Sequence, residues 1–201
     1  MLILCSNGLT SEKLLSCVRD KVQGHTTAAL VVTADNEYKE KNYHVPRCVK
    51  ELETLGLLVD IFDLDKQSAD ELLHYDIVEF IGGNPFYLLQ TIHKSNSANI
   101  LKEIAANKVL VGWSAAAIVF GPTLELVNMY SPEMNFMGLK NLKALGLTKV
   151  EVLPHYNKFV DRFEKFEEKC KDYEKKNHVQ VFRLNDGDGV CIEGDRISVL
   201  R

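Results

Sequence analysis

Three short segments of this chain carry residue types that can do chemistry together. Val111-Gly112-Trp113-Ser114-Ala115-Ala116 follows an apolar run and opens an alanine-rich stretch. A serine at a strand-to-helix junction sits on a sharp turn with its hydroxyl exposed and the next amides facing outward, the geometry of a nucleophile elbow, whose usual pattern is G-x-S-x-G. Here the second glycine is Ala116. The same pattern also suits a serine that only caps the helix that follows. Ile81-Gly82-Gly83-Asn84-Pro85 is a second strand end. Its two glycines allow close backbone approach, and their amides suit a phosphate or an oxyanion as well as a plain tight turn. No G-x-x-x-x-G-K-[ST] accompanies them, which disfavours a phosphate loop. The third segment is Pro154-His155-Tyr156. A serine becomes nucleophilic near neutral pH only beside a base, and histidine titrates in the right range. The other histidines (His25, His44, His74, His93 and His178) lie in polar surroundings and read as surface residues, and none is spaced from His155 as a metal ligand.

The elements that must position these segments alternate. Apolar runs predict strands at 2–5, 28–33, 57–62, 76–81, 108–113 and 149–153, with short strands at 179–184, 189–192 and 196–200. Helical spacing predicts helices at 11–22, 45–55, 68–73, 86–93, 100–106 and from 114, plus one long helix over 156–176 with Phe159, Phe163, Phe166, Cys170 and Tyr173 on its buried stripe. Residues 121–140 read as an irregular excursion holding at most one short strand. Asn185-Asp186-Gly187-Asp188-Gly189 is like a calcium loop in composition, but lacks the spacing and the distal glutamate, so it reads as a turn. Strand–helix alternation with apolar strands predicts an α/β fold with a mostly parallel sheet and helices on both faces, in one domain over 1–201. Ligands of such sheets lie beyond the carboxyl ends of the strands. That rule selects Cys5–Gly8, Gly82–Pro85, Gly112–Ala115 and Pro154–Tyr156.

The net charge of −4 argues against a nucleic-acid or membrane-surface partner, since both need a basic face. No basic, apolar leader opens the chain, and its five scattered cysteines, without CxxC, predict free thiols in a reducing cytoplasm, with Cys5 packed in the core.

Taken in order, Gly82-Gly83-Asn84-Pro85-Phe86-Tyr87-Leu88-Leu89, Gly112-Trp113-Ser114-Ala115-Ala116-Ala117 and Pro154-His155-Tyr156 resemble the motifs of the peptidase E family, aspartyl dipeptidases related to cyanophycinases. The resemblance implies a flavodoxin-like sheet, similar to class I glutamine amidotransferases. It implies Ser114 as nucleophile, His155 as general base, and the amides of Gly83 and Ala115 as the oxyanion hole. It implies a small peptide as substrate, with no metal or cofactor, and leaves a homo-oligomer open.

The family's aspartate between serine and histidine has no counterpart, for residues 115–154 contain none. The candidates to orient His155 are Glu125, Asn128, Glu133 and Asn135. Asn135 leads, because Asn135-Phe136-Met137-Gly138-Leu139 lines up with the family's D-x-x-G-[LF]. Recognition of an N-terminal aspartate needs a cation, and residues 112–140 offer only Lys140. Two functional expectations follow. One is a serine peptidase-like hydrolase of small peptides or amides. The other is a weak or inactive hydrolase scaffold that binds a small ligand or peptide. Amidotransferase chemistry is disfavoured, because serine stands where a cysteine would be required.

Overall fold

A computed structural model describes residues 1–24 and 26–201; the surface reading of His25 lies outside the described residues. Seven strands form one sheet: β1 (Leu2–Cys5), β2 (Thr27–Val31), β3 (Leu58–Phe62), β4 (Ile77–Phe80), β5 (Val109–Trp113), β8 (Gly189–Glu193) and β9 (Arg196–Leu200). Their order is β3-β2-β4-β5-β1-β8-β9. The first five are parallel, and β8 and β9 close that edge as an antiparallel hairpin. The run β3-β2-β4-β5 repeats the flavodoxin order 2-1-3-4, with β1 in the fifth place. A second, two-stranded parallel sheet pairs β6 (Glu151–Leu153) with β7 (Val181–Arg183).

Side-chain alternation explains why helices cover both faces. In β1, Leu2 and Leu4 enter one core while Ile3 and Cys5 enter the other. In β2, Ala29 and Val31 oppose Ala28 and Leu30 in the same way. Apolar residues on both faces require a cover on both. Helices α1 (Glu12–Arg19) and α2 (Val45–Glu53) supply Leu14, Val18, Cys48 and Leu52 to one side. Helices α3 (Pro85–Lys94), α4 (Ala98–Asn107) and α5 (Ala115–Phe120) cover the other.

Two expectations are corrected. The excursion at 121–140 carries no strand. It folds as helix α6 (Glu125–Tyr130), burying Leu126 and Val127, and a 3-10 turn at Pro132–Met134. The long helix predicted over 156–176 is two helices, α7 (Tyr156–Phe159) and α8 (Phe166–Asn177), with Lys165 left-handed at φ 53° between them. The aromatic stripe is the reason. A straight helix would spread Phe159 and Phe166 over roughly 10 Å of axis. Instead Phe159, Phe163 and Phe166 all converge on the ring of Tyr130, at centroid distances of 6.1, 5.3 and 5.0 Å. The break lets one aromatic cluster form under α6. Elsewhere the helix bounds differ from the predicted ones by up to three residues: α1 stops at Arg19 and α2 at Glu53, while α3 and α4 run one or two residues past both predicted ends.

Candidate active site

Strand register brings the chemistry to one edge. Cys5 pairs with Trp113 and Phe80 with Gly112, so Ser6, Gly82 and Ser114 leave neighbouring strands side by side. Leu153 pairs with Arg183, so His155 and Asp186 leave β6 and β7 together.

Ser114 adopts φ 52° and ψ −113°, a backbone region that few side chains tolerate. The first glycine of the elbow has a steric cause. A Cβ on Gly112 would stand 2.6 Å from the Phe120 ring, so only glycine lets α5 pack this closely on β5. Ala116, fully buried, fits the same contact, and the alanine departure from G-x-S-x-G leaves the elbow intact. The Ser114 hydroxyl makes no cap to its own helix. The capping reading is thereby replaced: Ser114 Oγ lies 2.9 Å from His155 Nε2.

His155 is held at φ 55°, with its ring one-fifth exposed. Its Nδ1 lies 2.7 Å from Oδ1 of Asp186. A carboxylate only accepts, so Nδ1 carries the proton, Nε2 accepts, and the Ser114 hydroxyl donates to it. Ser6 braces the pair. Its Oγ accepts from the His155 amide at 2.8 Å and donates to Asp186 Oδ1 at 3.0 Å. Lys158 Nζ stands 2.5 Å from the other carboxylate oxygen. Burial alone would raise the Asp186 pKa, but hydrogen bonds from Lys158, His155 and Ser6 outweigh it and hold the carboxyl below its usual range.

The partner of His155 corrects the sequence reading. Asn135 spends its side chain on its own loop: Nδ2 donates to Leu139 O at 3.0 Å, and Oδ1 accepts from Leu139 N at 2.8 Å. Asn128 accepts weakly from Asn135 at 3.4 Å, and Glu125 and Glu133 are exposed. Among the described residues none of the four bonds His155. Asp186 sits in the predicted turn at 185–189, which is clamped to the loop after β1. Gly187 N donates to Asn7 Oδ1 at 2.9 Å and Ser6 N to Asp188 O at 3.0 Å. A sequence signal existed. A predicted strand ended at Leu184, and the rule that chose the other strand ends applies equally to Asn185-Asp186.

Gly83 lies across the cleft from the elbow with φ 151°. A Cβ there would fall 2.2 Å from Ala34 O, so the position admits glycine alone. Among the described residues, neither the Gly83 amide nor that of Ala115 donates a hydrogen bond to the protein. Asn84 fixes the segment: its side chain accepts from Phe86 N and Tyr87 N and donates to Met134 O at 2.8 Å.

Two cavities flank Ser114. One, of about 370 Å³, is lined by Asn7, Asn42, Tyr43, His44, Trp113 and Lys158 beside the Ser114–His155 pair. The other, of about 190 Å³, is walled by Pro85, Ile118, Val127, Tyr130, Met134 and Phe159. His44 therefore departs from its surface reading. It is half-buried, edge-on to Trp113 at 5.4 Å, and desolvation followed by the nearby Arg47 charge lowers its pKa. Lys140 is exposed and lines neither cavity.

Beneath the elbow lies a buried polar group apart from these. Glu79 on β4 is fully buried and neither of its oxygens has a hydrogen-bond partner, and Trp113 Nε1 is also unpartnered. Burial pushes the Glu79 carboxyl up to about 8, with the Glu51 charge adding to the effect. Cys5 is buried, as expected of a core thiol, and no helix is long and apolar enough to cross a membrane among the described residues.

Comparison with known proteins agrees with this architecture. The family model of peptidase family S51 matches residues 2–200. The uncharacterized peptidase Lmo0363 of Listeria monocytogenes is 29% identical over 206 residues, spanning 100% of this chain and 98% of its own. The uncharacterized peptidase Lin0382 of Listeria innocua is 32% identical over 202 residues, covering 98% and 94%. A crystal structure of a candidate peptidase E protein from L. monocytogenes EGD-e superposes with a TM-score of 0.75 at 27% identity, over 100% of this chain and 97% of that one. The fold is accordingly the flavodoxin-like one of class I glutamine amidotransferases. With its family model matched from the first strand to the last, this chain belongs to peptidase family S51.

Proposed function

We propose that this chain is a cytoplasmic serine-type hydrolase of small peptides or related amides, with Ser114 as nucleophile, His155 as general base and Asp186 as the group that orients and charges it. The observation that carries the reading is the unbroken chain Oγ–Nε2, Nδ1–Oδ1 at 2.9 and 2.7 Å, mounted on a strained elbow. In the reaction, Ser114 Oγ attacks the carbonyl carbon as its proton passes to His155 Nε2. The oxyanion is received by the amides of Gly83 and Ala115, neither of which donates to another protein group among the described residues. The imidazolium, stabilised by the Asp186 carboxylate, then protonates the leaving amine. Water deacylates Ser114 by the same path in reverse. No step requires a group beyond these residues and water.

Membership of a peptidase family supports the peptide bond as target. Five free thiols support the cytoplasm. The alternative of an inactive binding module rested on Ala116 and on a missing acid; Asp186, 2.7 Å from His155, supports the hydrolase over it. The test is hydrolysis of a dipeptide panel by the wild type and by Ser114→Ala. Amine release that disappears in Ser114→Ala supports the reading. Equal release by both proteins, or none by the wild type on any dipeptide, refutes it.

A further inference from the structure

The two cavities beside Ser114 differ in chemistry, and the difference restricts the substrate. A planar amide placed on Ser114 with its oxygen toward Gly83 and Ala115 sends its two halves in opposite directions. One half meets the polar cavity of Asn7, Asn42, His44 and Lys158. The other meets the apolar one. At about 190 Å³ that cavity is smaller than the ~300–1,000 Å³ of sites for drug-sized ligands and suits a single side chain.

Resting on the hydrolase reading above, we infer that the cavity between Ile118, Val127, Tyr130, Met134 and Phe159 binds an uncharged apolar side chain flanking the scissile bond, so that the preferred substrates are peptides with a leucine-like residue there and not acidic ones. The walls argue for it. Ile118 and Val127 come from α5 and α6, Phe159 from α7, and Met134 from the turn that Asn84 ties down. The cavity contains neither lysine nor arginine. The imidazole of His155 is its one basic group, and both ring nitrogens are already spent on Ser114 and Asp186. The hydroxyls of Ser114, Ser131 and Tyr130 are its remaining side-chain polar atoms. A carboxylate placed here would lose its water without gaining a countercharge, and an isolated buried charge is strongly disfavoured. An aliphatic side chain loses nothing and releases water from apolar walls. Lys158 does not substitute as a cation, for it faces the other cavity and is engaged by Asp186.

Binding and turnover are measured separately. Calorimetry on Ser114→Ala compares Leu-Leu with Asp-Asp, and wild-type kcat/KM is measured on the same pair. Leu-Leu is expected to bind at least about tenfold more tightly and to be cleaved faster by a similar factor. Met134→Lys places a cation in the cavity wall, and is expected to reverse the order in favour of Asp-Asp, whereas Met134→Leu keeps it. Circular dichroism melting checks that both variants fold. Asp-Asp binding as tightly as Leu-Leu, or neither dipeptide binding at all, overturns the inference. Tight Leu-Leu binding to Ser114→Ala without wild-type cleavage overturns the hydrolase reading and leaves the cavity assignment standing.

Discussion

Replacing Asp186 by Asn and by Ala separates the charge of this residue from its hydrogen bond. In the wild type three donors converge on the carboxylate: His155 Nδ1 at 2.7 Å and Ser6 Oγ at 3.0 Å on Oδ1, and Lys158 Nζ at 2.5 Å on Oδ2. An asparagine offers one oxygen for these two positions. Lys158 is 63% exposed and can turn to water, whereas the His155 ring is 18% exposed and has no such recourse. The amide oxygen should therefore face His155, keeping the proton on Nδ1. What is lost is the negative charge beside the imidazolium. Hydrogen bonds to charged groups are worth ~1.5–3 kcal/mol against ~0.5–1.5 for neutral ones, so the loss is about 1–2 kcal/mol, roughly a 5- to 30-fold fall in kcat. Alanine removes the acceptor altogether and frees the tautomer. Its cost should approach the ~10⁴-fold seen when a serine triad holds the wrong tautomer. The assay is steady-state hydrolysis of a small activated ester, with KM expected to stay within a factor of a few. A fall of 10⁴ in Asp186→Asn would refute the orientation argument. Wild-type rates in Asp186→Ala would remove Asp186 from the site.

Three further outcomes are expected. Glu79 has a folded-state pKa of about 8 against an ordinary 4.5, so the folded protein holds a proton there that the unfolded chain has released. Its stabilising contribution is complete below about 4.5 and is lost as pH rises through about 8, roughly 4–5 kcal/mol at ~1.4 kcal/mol per unit; urea titrations of Glu79→Gln should show a flatter pH dependence than the wild type, and parallel curves would contradict the burial. Gly83→Ala drives a Cβ to 2.2 Å from a backbone oxygen, whereas Gly194, also at positive φ, has open space around it. Alanine should cost on the order of 3 kcal/mol or more at Gly83 and about 1 kcal/mol at Gly194, by chemical denaturation. Ser6→Ala removes the bridge between the His155 amide and Asp186; kcat should fall about tenfold with KM unchanged, and Ser6→Thr should restore most of it.

The layered fold was legible because its signals are local. Apolar strands such as Val109–Trp113 and stripes such as Leu14/Val18 announce themselves by period, whereas the order β3-β2-β4-β5 is a long-range fact that the structure supplies. The strand-end rule selected the segments that carry Gly83, Ser114 and His155, and the structure brings Ser114 and His155 within hydrogen-bond reach; the oxyanion-hole roles of Gly83 and Ala115 came from the family resemblance. Asp186 escaped. Its place just past a predicted strand end was readable, but its partnership with His155 depends on β6 pairing with β7 across the intervening helices α7 and α8, a long-range fact that no local pattern gives. A motif alignment then pulled attention to Asn135, whose real work is to close a loop through Leu139. The break between α7 and α8 was hidden as well. A stripe of aromatics at helical spacing looks the same whether it lies along one helix or folds around Tyr130.

The central claim is that Ser114, activated by His155, is the nucleophile, and covalent labelling with a fluorophosphonate reads it directly. Intact-mass and peptide-level mass spectrometry of the treated wild type should find one adduct, on the peptide carrying Ser114. Ser114→Ala should take up none, and His155→Ala should react at least about a hundredfold more slowly. Adducts that appear equally on the wild type and Ser114→Ala, or labelling of Ser114 at an undiminished rate without His155, would contradict the account.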